Sequence, residues 1–344
     1  MQALVKTQKG VGHLEIRDVP VPTPGPGEVL IKVHSAGICG TDLHILKDEF
    51  PYIPPVTLGH EFAGEVVALG PQTNNYHEGD RIVAEPHRGG CGTCRYCRSG
   101  AVEVCRQKRA IGYKVDGALA EYLTLPATSL HRIPDSLSFE HAALAEPLAC
   151  VVKAVGERSG VERGDFVVVL GCGPIGLLAA ATAKAAGARM VLITGMTRDE
   201  TVRLPTARAT GVDHVVNVET TNVVEMVREL TGGDGADLVV EASGAGPAIA
   251  QGFELVRTDG RIAAIGLCGR ETISFPWNRV VTKAARVTGS YSSSVSSWDK
   301  AVALLATGKV NAPALISGRY PLRHWEQAFG TLERQDAIKV LLQP

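Results

Sequence analysis

No stretch of this 344-residue chain comes near the roughly 18 uninterrupted apolar residues that a membrane span requires. The first residues, MQALVKTQKGVGHLEIRD, also hold no apolar core of signal-peptide length, so the expectation is a cytoplasmic protein. An excess of charge is missing too. Lys plus Arg number 35 against 36 Asp plus Glu, a net charge of −1 that leaves no field to hold nucleic acid or an anionic membrane. Repeats and low-complexity tracts are absent, and Pro20 to Pro26, PVPTPGP, reads as an extended connection rather than an interdomain linker. What is present is 45% hydrophobic residues, enough for a real core, over a length that suits two domains.

Four of the eight cysteines crowd into GGCGTCRYCRSGAVEVC, residues 89 to 105. In a reducing compartment such a cluster reads as metal ligands before disulfides. Cys91, Cys94, Cys97 and Cys105 follow C-x2-C-x2-C-x7-C, which lets one small lobe wrap four thiolates tetrahedrally around zinc, with Gly89, Gly90, Gly92 and Gly100 at its turns. A closed sulfur site leaves no open position, so this zinc is expected to be structural. A redox pair or unrelated buried cysteines are the other readings of the loop. Cys150, Cys172 and Cys268 read as core or near-turn residues.

Cys39 differs. It lies in GICGTDLH, and LGHEFAGEVVALG follows with His60 beside Glu61. A thiolate, an imidazole and a carboxylate form a ligand set for catalytic zinc, with one position left open for a water or an alcohol. Asp42 is placed to hydrogen-bond the far nitrogen of a zinc-bound His60. Glu146, in the otherwise apolar AALAEPLACVVKAV, would be costly unpaired and is expected to face the metal or its water. Thr41 and His44 stand as proton carriers, against readings as a turn cap and a surface histidine.

DFVVVLGCGPIGLLAAATAKAAGA supplies the partner chemistry. Phe166 to Leu170 is an apolar β-branched run, followed by Gly171-x-Gly173-Pro174-Ile175-Gly176 and an alanine-rich helix ending at Gly187. Strand, tight turn and helix in that order form a dinucleotide site: Gly171 permits the turn, Gly173 lets backbone approach a pyrophosphate, and Gly176 permits close packing. MVLIT, DHVVNV, NVVEMVREL, ADLVVEASG and GRIAAIGL continue the alternation of a doubly wound parallel sheet. Ser243, Gly266 and Leu267 are expected near the nicotinamide. The acid that holds the adenosine ribose in NAD sites is missing, since Gly195 stands at that place in MVLITGMTRDETVRL. Thr197, Arg198 and Arg203 favour a 2′-phosphate and hence NADP, with Asp199 as the alternative that would reach a ribose and favour NAD.

Taken together, PGPGEVLIKVHSAGICGTDLH, LGHEFAGEVVALG, the cysteine loop, AEPLACVVKAV and VVVLGCGPIGLLAA resemble, in order and spacing, the zinc-dependent medium-chain alcohol dehydrogenases. The resemblance spans essentially the whole chain. It implies an α/β protein in which a Rossmann domain, residues 150–288, is inserted into a GroES-like β-barrel catalytic domain. The latter would be built from 1–149 and 289–344 and would carry the structural-zinc lobe at 89–105, with the active site in the cleft. It implies Cys39, His60, Glu61 and Glu146 around a catalytic zinc, Glu61 and Glu146 exchanging as ligand and water partner. Asp42 would stand behind them, Thr41 and His44 would form the relay, and the chain would assemble as a homodimer or homotetramer.

GHEFAG and AEPLA resemble the polyol branch, which implies a small-molecule substrate with a secondary hydroxyl. VTGSYSSSVSSW departs from sorbitol dehydrogenases, offering Tyr291, Ser292 and Ser293 where they resemble one another in an Arg-Tyr pair. A zinc-free enone or quinone reductase of the same fold, and a non-catalytic dinucleotide-binding protein, are the rival readings.

Overall fold

The structure is a computed structural model describing residues 1–269 and 271–344. The chain divides into two compact units. One comprises Met1–Glu146, Ser294–Ala306 and Ile316–Pro344; the other comprises Pro147–Ser293 and Thr307–Leu315. The second boundary differs from the sequence expectation, because the short helix Ala312–Leu315 packs on the helix Arg203–Ala209 and so joins the nucleotide-type unit.

The second unit is built on a six-stranded parallel sheet. Its spatial order is His214–Asn217, Met190–Gly195, Phe166–Leu170, Ala236–Glu241, Val256–Ala264, Arg286–Gly289. Counted along the chain this is 3-2-1-4-5-6, the doubly wound order of dinucleotide-binding sheets. Phe166–Leu170 is buried over all five residues, as a central parallel strand covered on both faces must be. The helix Pro174–Ala185 starts with proline in its first turn, where no backbone donor is lost.

The first unit holds a seven-stranded sheet and a three-stranded sheet. The long strand Glu28–Gly37 organises the larger one, pairing antiparallel with Glu61–Leu69, Tyr122–Pro126 and the C-terminal Lys339–Gln343. Val29, Ile31, Val33, Phe62, Val66, Leu125, Val340 and Leu342 meet in one core cluster. That pairing matters for function: it sets Gly37 opposite Glu61 on one side and Leu341 on the other. Residues from three distant stretches of chain therefore converge at one sheet corner.

Candidate active site and metal centres

Cys39 follows the strand Glu28–Gly37 and caps the helix Gly40–Leu46. His60 and Glu61 enter the neighbouring strand. One ligand atom from each of Cys39, His60 and Glu61 lies within 4.8 Å of the others, and His60 and Glu61 are buried. Glycine at position 37 makes room, because a Cβ there would stand 2.4 Å from Glu61 Oε2.

Asp42 does something other than the sequence suggests. It is fully buried, yet Oδ2 accepts the Cys39 amide at 2.8 Å and Oδ1 the Gly59 amide at 3.3 Å. At the third helical position its reach is toward the cap it follows, so it pins the two ligand-bearing turns instead of the imidazole ring. His60 Nδ1 is accordingly buried with no partner. Glu146 is buried in the first turn of the helix Ala145–Val151, outside the 4.8 Å set of direct donors. Its charge nonetheless reaches His60.

Sequence reasoning missed Lys339. Its ammonium is 4% exposed as a residue and donates to Glu61 Oε2 at 2.6 Å and to the Ile38 carbonyl at 3.1 Å. Burial disfavours its charge, but Glu61, Cys39 and Glu146 together hold its pKa above the ordinary lysine value. Burial likewise opposes protonation of His60, and the Cys39 and Asp42 charges overcome it, holding the imidazole well above its usual range. This is a buried pocket with surplus negative charge and mixed sulfur, nitrogen and oxygen donors. It fits zinc, whose charge takes over the role of the proton on His60.

Thr41 Oγ1 lies 3.7 Å from Cys39 Sγ. His44, one turn further on, is exposed and pairs through Nδ1 with Glu49 at 2.8 Å.

The cysteine loop folds as a short helix, Arg95–Arg98, and a 3-10 turn, Val102–Val104. Its four sulfurs all lie within 4.8 Å of one another, with Cys91 to Cys97 at 3.9 Å and Cys105 to both Cys91 and Cys94 at 3.8 Å. A tetrahedron with Zn–S bonds of about 2.3 Å has edges of about 3.8 Å. No pair is close enough for a disulfide, and all four are free thiols. The Cys94 amide points at Cys91 Sγ from 3.3 Å and pulls that thiol down to about 6, readying it as a thiolate ligand.

In the other unit, Gly171 adopts φ +101° and donates to Thr194 Oγ1 at 3.2 Å. Gly176 is forced by packing, since a Cβ would meet the Gly171 carbonyl at 1.9 Å. Gly173 faces open space within 4 Å, at the start of the helix whose first turn contains Pro174, Ile175 and Gly176. An open cradle at a helix N-terminus fits a pyrophosphate. Ser243 is tied to Glu241 by its hydroxyl at 2.6 Å, and Gly244 and Gly266 pack so closely that neither tolerates a Cβ. Leu267 is 78% exposed. Gly195 is buried at the end of its strand, and Thr197 and Arg198 follow on the surface.

Comparison with known proteins is decisive for the family. The alcohol dehydrogenase GroES-like domain family matches residues 25–135 and the zinc-binding dehydrogenase family residues 174–307. The chain belongs to the zinc-dependent medium-chain alcohol dehydrogenases. It is 42% identical to a sorbitol dehydrogenase of Halalkalibacterium halodurans, covering 100% of this chain and 99% of that one. It is 36% identical to a D-arabitol-phosphate dehydrogenase of Enterococcus avium, covering 100% and 97%. Among solved structures, a zinc-binding dehydrogenase from Sinorhizobium meliloti bound to NADP superposes with a TM-score of 0.91 at 34% identity, covering 100% and 99%. The 2R,3R-butanediol dehydrogenase of Bacillus subtilis does so with 0.89 at 30%, covering 100% and 99%. As a member of this family the chain is an NAD(P)- and zinc-dependent alcohol oxidoreductase, and no helix among its described residues is long and apolar enough to cross a membrane.

Proposed function

We propose that this dehydrogenase oxidises a secondary hydroxyl of a polyol or sugar-derived alcohol to a ketone. The observation that carries the reading is the Cys39, His60 and Glu61 set, with His60 and Glu61 buried and Lys339 behind them, supported by relatives that act, by name, on sorbitol and arabitol phosphate. In the reaction the carbinol carbon gives a hydride to the oxidised nicotinamide and the hydroxyl gives up its proton. Zinc, when bound at Cys39, His60 and Glu61, supplies Lewis acidity that makes the hydroxyl acidic near neutral pH.

The chain's own residues handle geometry and the proton. Asp42 fixes the two ligand turns through their amides. Thr41, beside the set, takes the proton, and His44 lies three residues on along the same helix face, exposed, where it passes the proton to water. Glu146 adds buried negative charge that favours a cation at the centre. In the serine-rich stretch after Tyr291, Ser294 and Ser297 cap the helix Val295–Ala306 reciprocally, at 3.0 and 3.3 Å.

A homodimer or homotetramer is part of the same reading. The outer strand Arg286–Gly289 leaves Val287 47% exposed, an open edge of the sheet that a monomer would have to protect. A reducing, cytoplasmic setting suits the free thiols of the zinc lobe.

The test is reduction of NAD and NADP, followed by near-ultraviolet absorbance, against polyols, sugar phosphates and simple secondary alcohols. Turnover of polyols that a chelator stops, and that Cys39→Ser abolishes while the protein stays folded, is the expected result. Turnover unchanged in Cys39→Ser, or confined to enones and quinones, would transfer the protein to the zinc-free reductases.

A further inference from the structure

We infer that Glu49 is a positioning residue for the proton relay: its carboxylate fixes the His44 imidazole in the tautomer that leaves Nε2 free to accept the substrate's proton. This inference rests on the relay reading above and extends it to a residue beyond the helix that carries Thr41 and His44.

The helix Gly40–Leu46 ends in a turn that folds the chain back over His44. Asp48 takes φ +60°, a left-handed conformation that strains a residue with a Cβ and that aspartate tolerates better than most. Its amide donates to the Ile45 carbonyl at 3.1 Å, and the next amide, that of Glu49, donates to the His44 carbonyl at 2.8 Å. These two crossed bonds are the Schellman closure of a helix. A lock holds the strained residue in place. Tyr52, 4% exposed, donates its hydroxyl to Asp48 Oδ1 at 2.6 Å and so keeps the Asp48 carboxyl below the usual carboxylate range. Lys9 donates to the Tyr52 carbonyl and stands 3.6 Å from the centre of its ring. Lys6, fully buried, gathers the Gly10 and Gly12 carbonyls, and the Gly12 amide reaches the Leu46 carbonyl at 2.8 Å. The N-terminal hairpin thus secures both the last turn of the helix and the segment that follows it.

What this turn delivers is the Glu49 carboxylate, 2.8 Å from His44 Nδ1. An ionised carboxylate only accepts, so the bond places the imidazole proton on Nδ1 and leaves the lone pair on Nε2. Among the described residues Nε2 has no protein partner. Both side chains are exposed, and an ion pair in water adds little stability. Its consequence is orientation, the part that a buried carboxylate plays for the histidine of a hydrolase triad. In the reaction Nε2 takes up the proton that the hydroxyl gives up through Thr41, and Glu49 balances the imidazolium that forms. The ring then returns one proton to water, which restores the form protonated on Nδ1. The count closes: one hydride leaves for the nicotinamide and one proton for solvent.

The first experiment needs no substrate. Zinc-loaded protein labelled with 15N-histidine is studied by ring proton–nitrogen correlation at about pH 9, above the ordinary histidine range, with the His44 signals assigned by their loss in His44→Ala. His44 should show a protonated Nδ1 and a bare Nε2, and Glu49→Ala should move it to the mixture of tautomers seen in free imidazole. The kinetic arm uses D-sorbitol, or whichever alcohol of the panel above turns over. Glu49→Ala should lower kcat on the order of tenfold, less than the roughly hundredfold expected of a lost relay group in His44→Ala, and leave KM for alcohol and dinucleotide within about twofold. A His44 ring protonated on Nε2 in the parent protein, or a tautomer and a kcat that Glu49→Ala leaves alone while His44→Ala is slow, would overturn the assignment to Glu49. Full turnover in His44→Ala, or silence of the whole panel, would instead remove the relay reading, and this inference with it.

Discussion

At the scale of single residues, the candidate active centre is organised by a cation that lies 278 positions from its partner in sequence. Lys339 neutralises Glu61 where neither is open to water. Removing one member of a buried ion pair strands the other, at a cost of about 3 kcal/mol. Lys339→Met should therefore destabilise the metal-free protein by about that amount, and the zinc-loaded protein by clearly less, because the metal ion supplies the missing positive charge at Cys39, His60 and Glu61. Denaturant melts of both forms measure the difference. An equal loss in the two forms would show that Lys339 supports the sheet alone.

The contrast between Lys339 and Cys39 shows what was legible in advance. Cys39, His60 and Glu61 sit in short glycine-flanked motifs whose ligand chemistry is local, so the donor set could be read directly. Lys339 carries no motif. Its only signal was a charge heading the apolar run Val340, Leu341 and Leu342, and it gains meaning only when that strand pairs beside Glu28–Gly37. Asp42 and Asp199 were visible as acids near a site, but their direction was not. Both bend back to cap the turns that carry them, a choice made by backbone amides that the sequence does not display.

At the scale of elements, a charge chain running from buried Glu85 to exposed Asp299 links the helix Val295–Ala306 to the barrel sheet. His131, on the strand Leu130–Arg132, lies between Asp299 at 3.0 Å and Glu85 at 3.6 Å and stacks on Trp298. His87 completes the group: its Nδ1 accepts the Gly89 amide, so its proton sits on Nε2 facing Glu85 at 3.2 Å. Burial disfavours the charge on His131, but Glu85 and Asp299 raise its pKa above the ordinary 6.5. Burial also works against ionised Glu85, yet the neighbouring His131 and His87 rings bring it from 4.5 down to about 2.

The signs follow by linkage. A raised histidine stabilises fully below about 6.5 and loses that stability as pH rises through its folded value. A depressed glutamate stabilises above about 4.5 and loses it as pH falls toward about 2. Their joint contribution is greatest between those limits. Thermal melts from pH 6 upward should fall on the alkaline side for this reason, and His131→Gln should flatten that part of the curve. Parallel curves for the two proteins would assign the fall to other groups.

At the scale of the whole molecule, two donor sets of unlike construction that fit zinc coexist, and the ions they would hold should part company under chelation. The Cys91, Cys94, Cys97 and Cys105 site offers four thiolates from one short loop, closes its coordination sphere, and is the main constraint on a lobe whose regular structure is two short turns. The Cys39, His60 and Glu61 site has three mixed donors, one of them already shared with Lys339, and keeps a position open. An open site exchanges its metal more readily than a closed one. A metal analysis of the purified protein should find two zinc ions per chain, one for each donor set. Graded chelation should then remove the first ion with loss of turnover and little change in melting temperature. Removal of the second should coincide with a fall in melting temperature and with trypsin cutting at Arg95 and Arg98, which lie inside the lobe. Cys97→Ser should show the second behaviour from the outset while keeping the first ion. Simultaneous release of both ions, or a lobe that stays resistant to trypsin once its sulfurs are emptied, would mean that the loop is held by the barrel and that its zinc is a passenger.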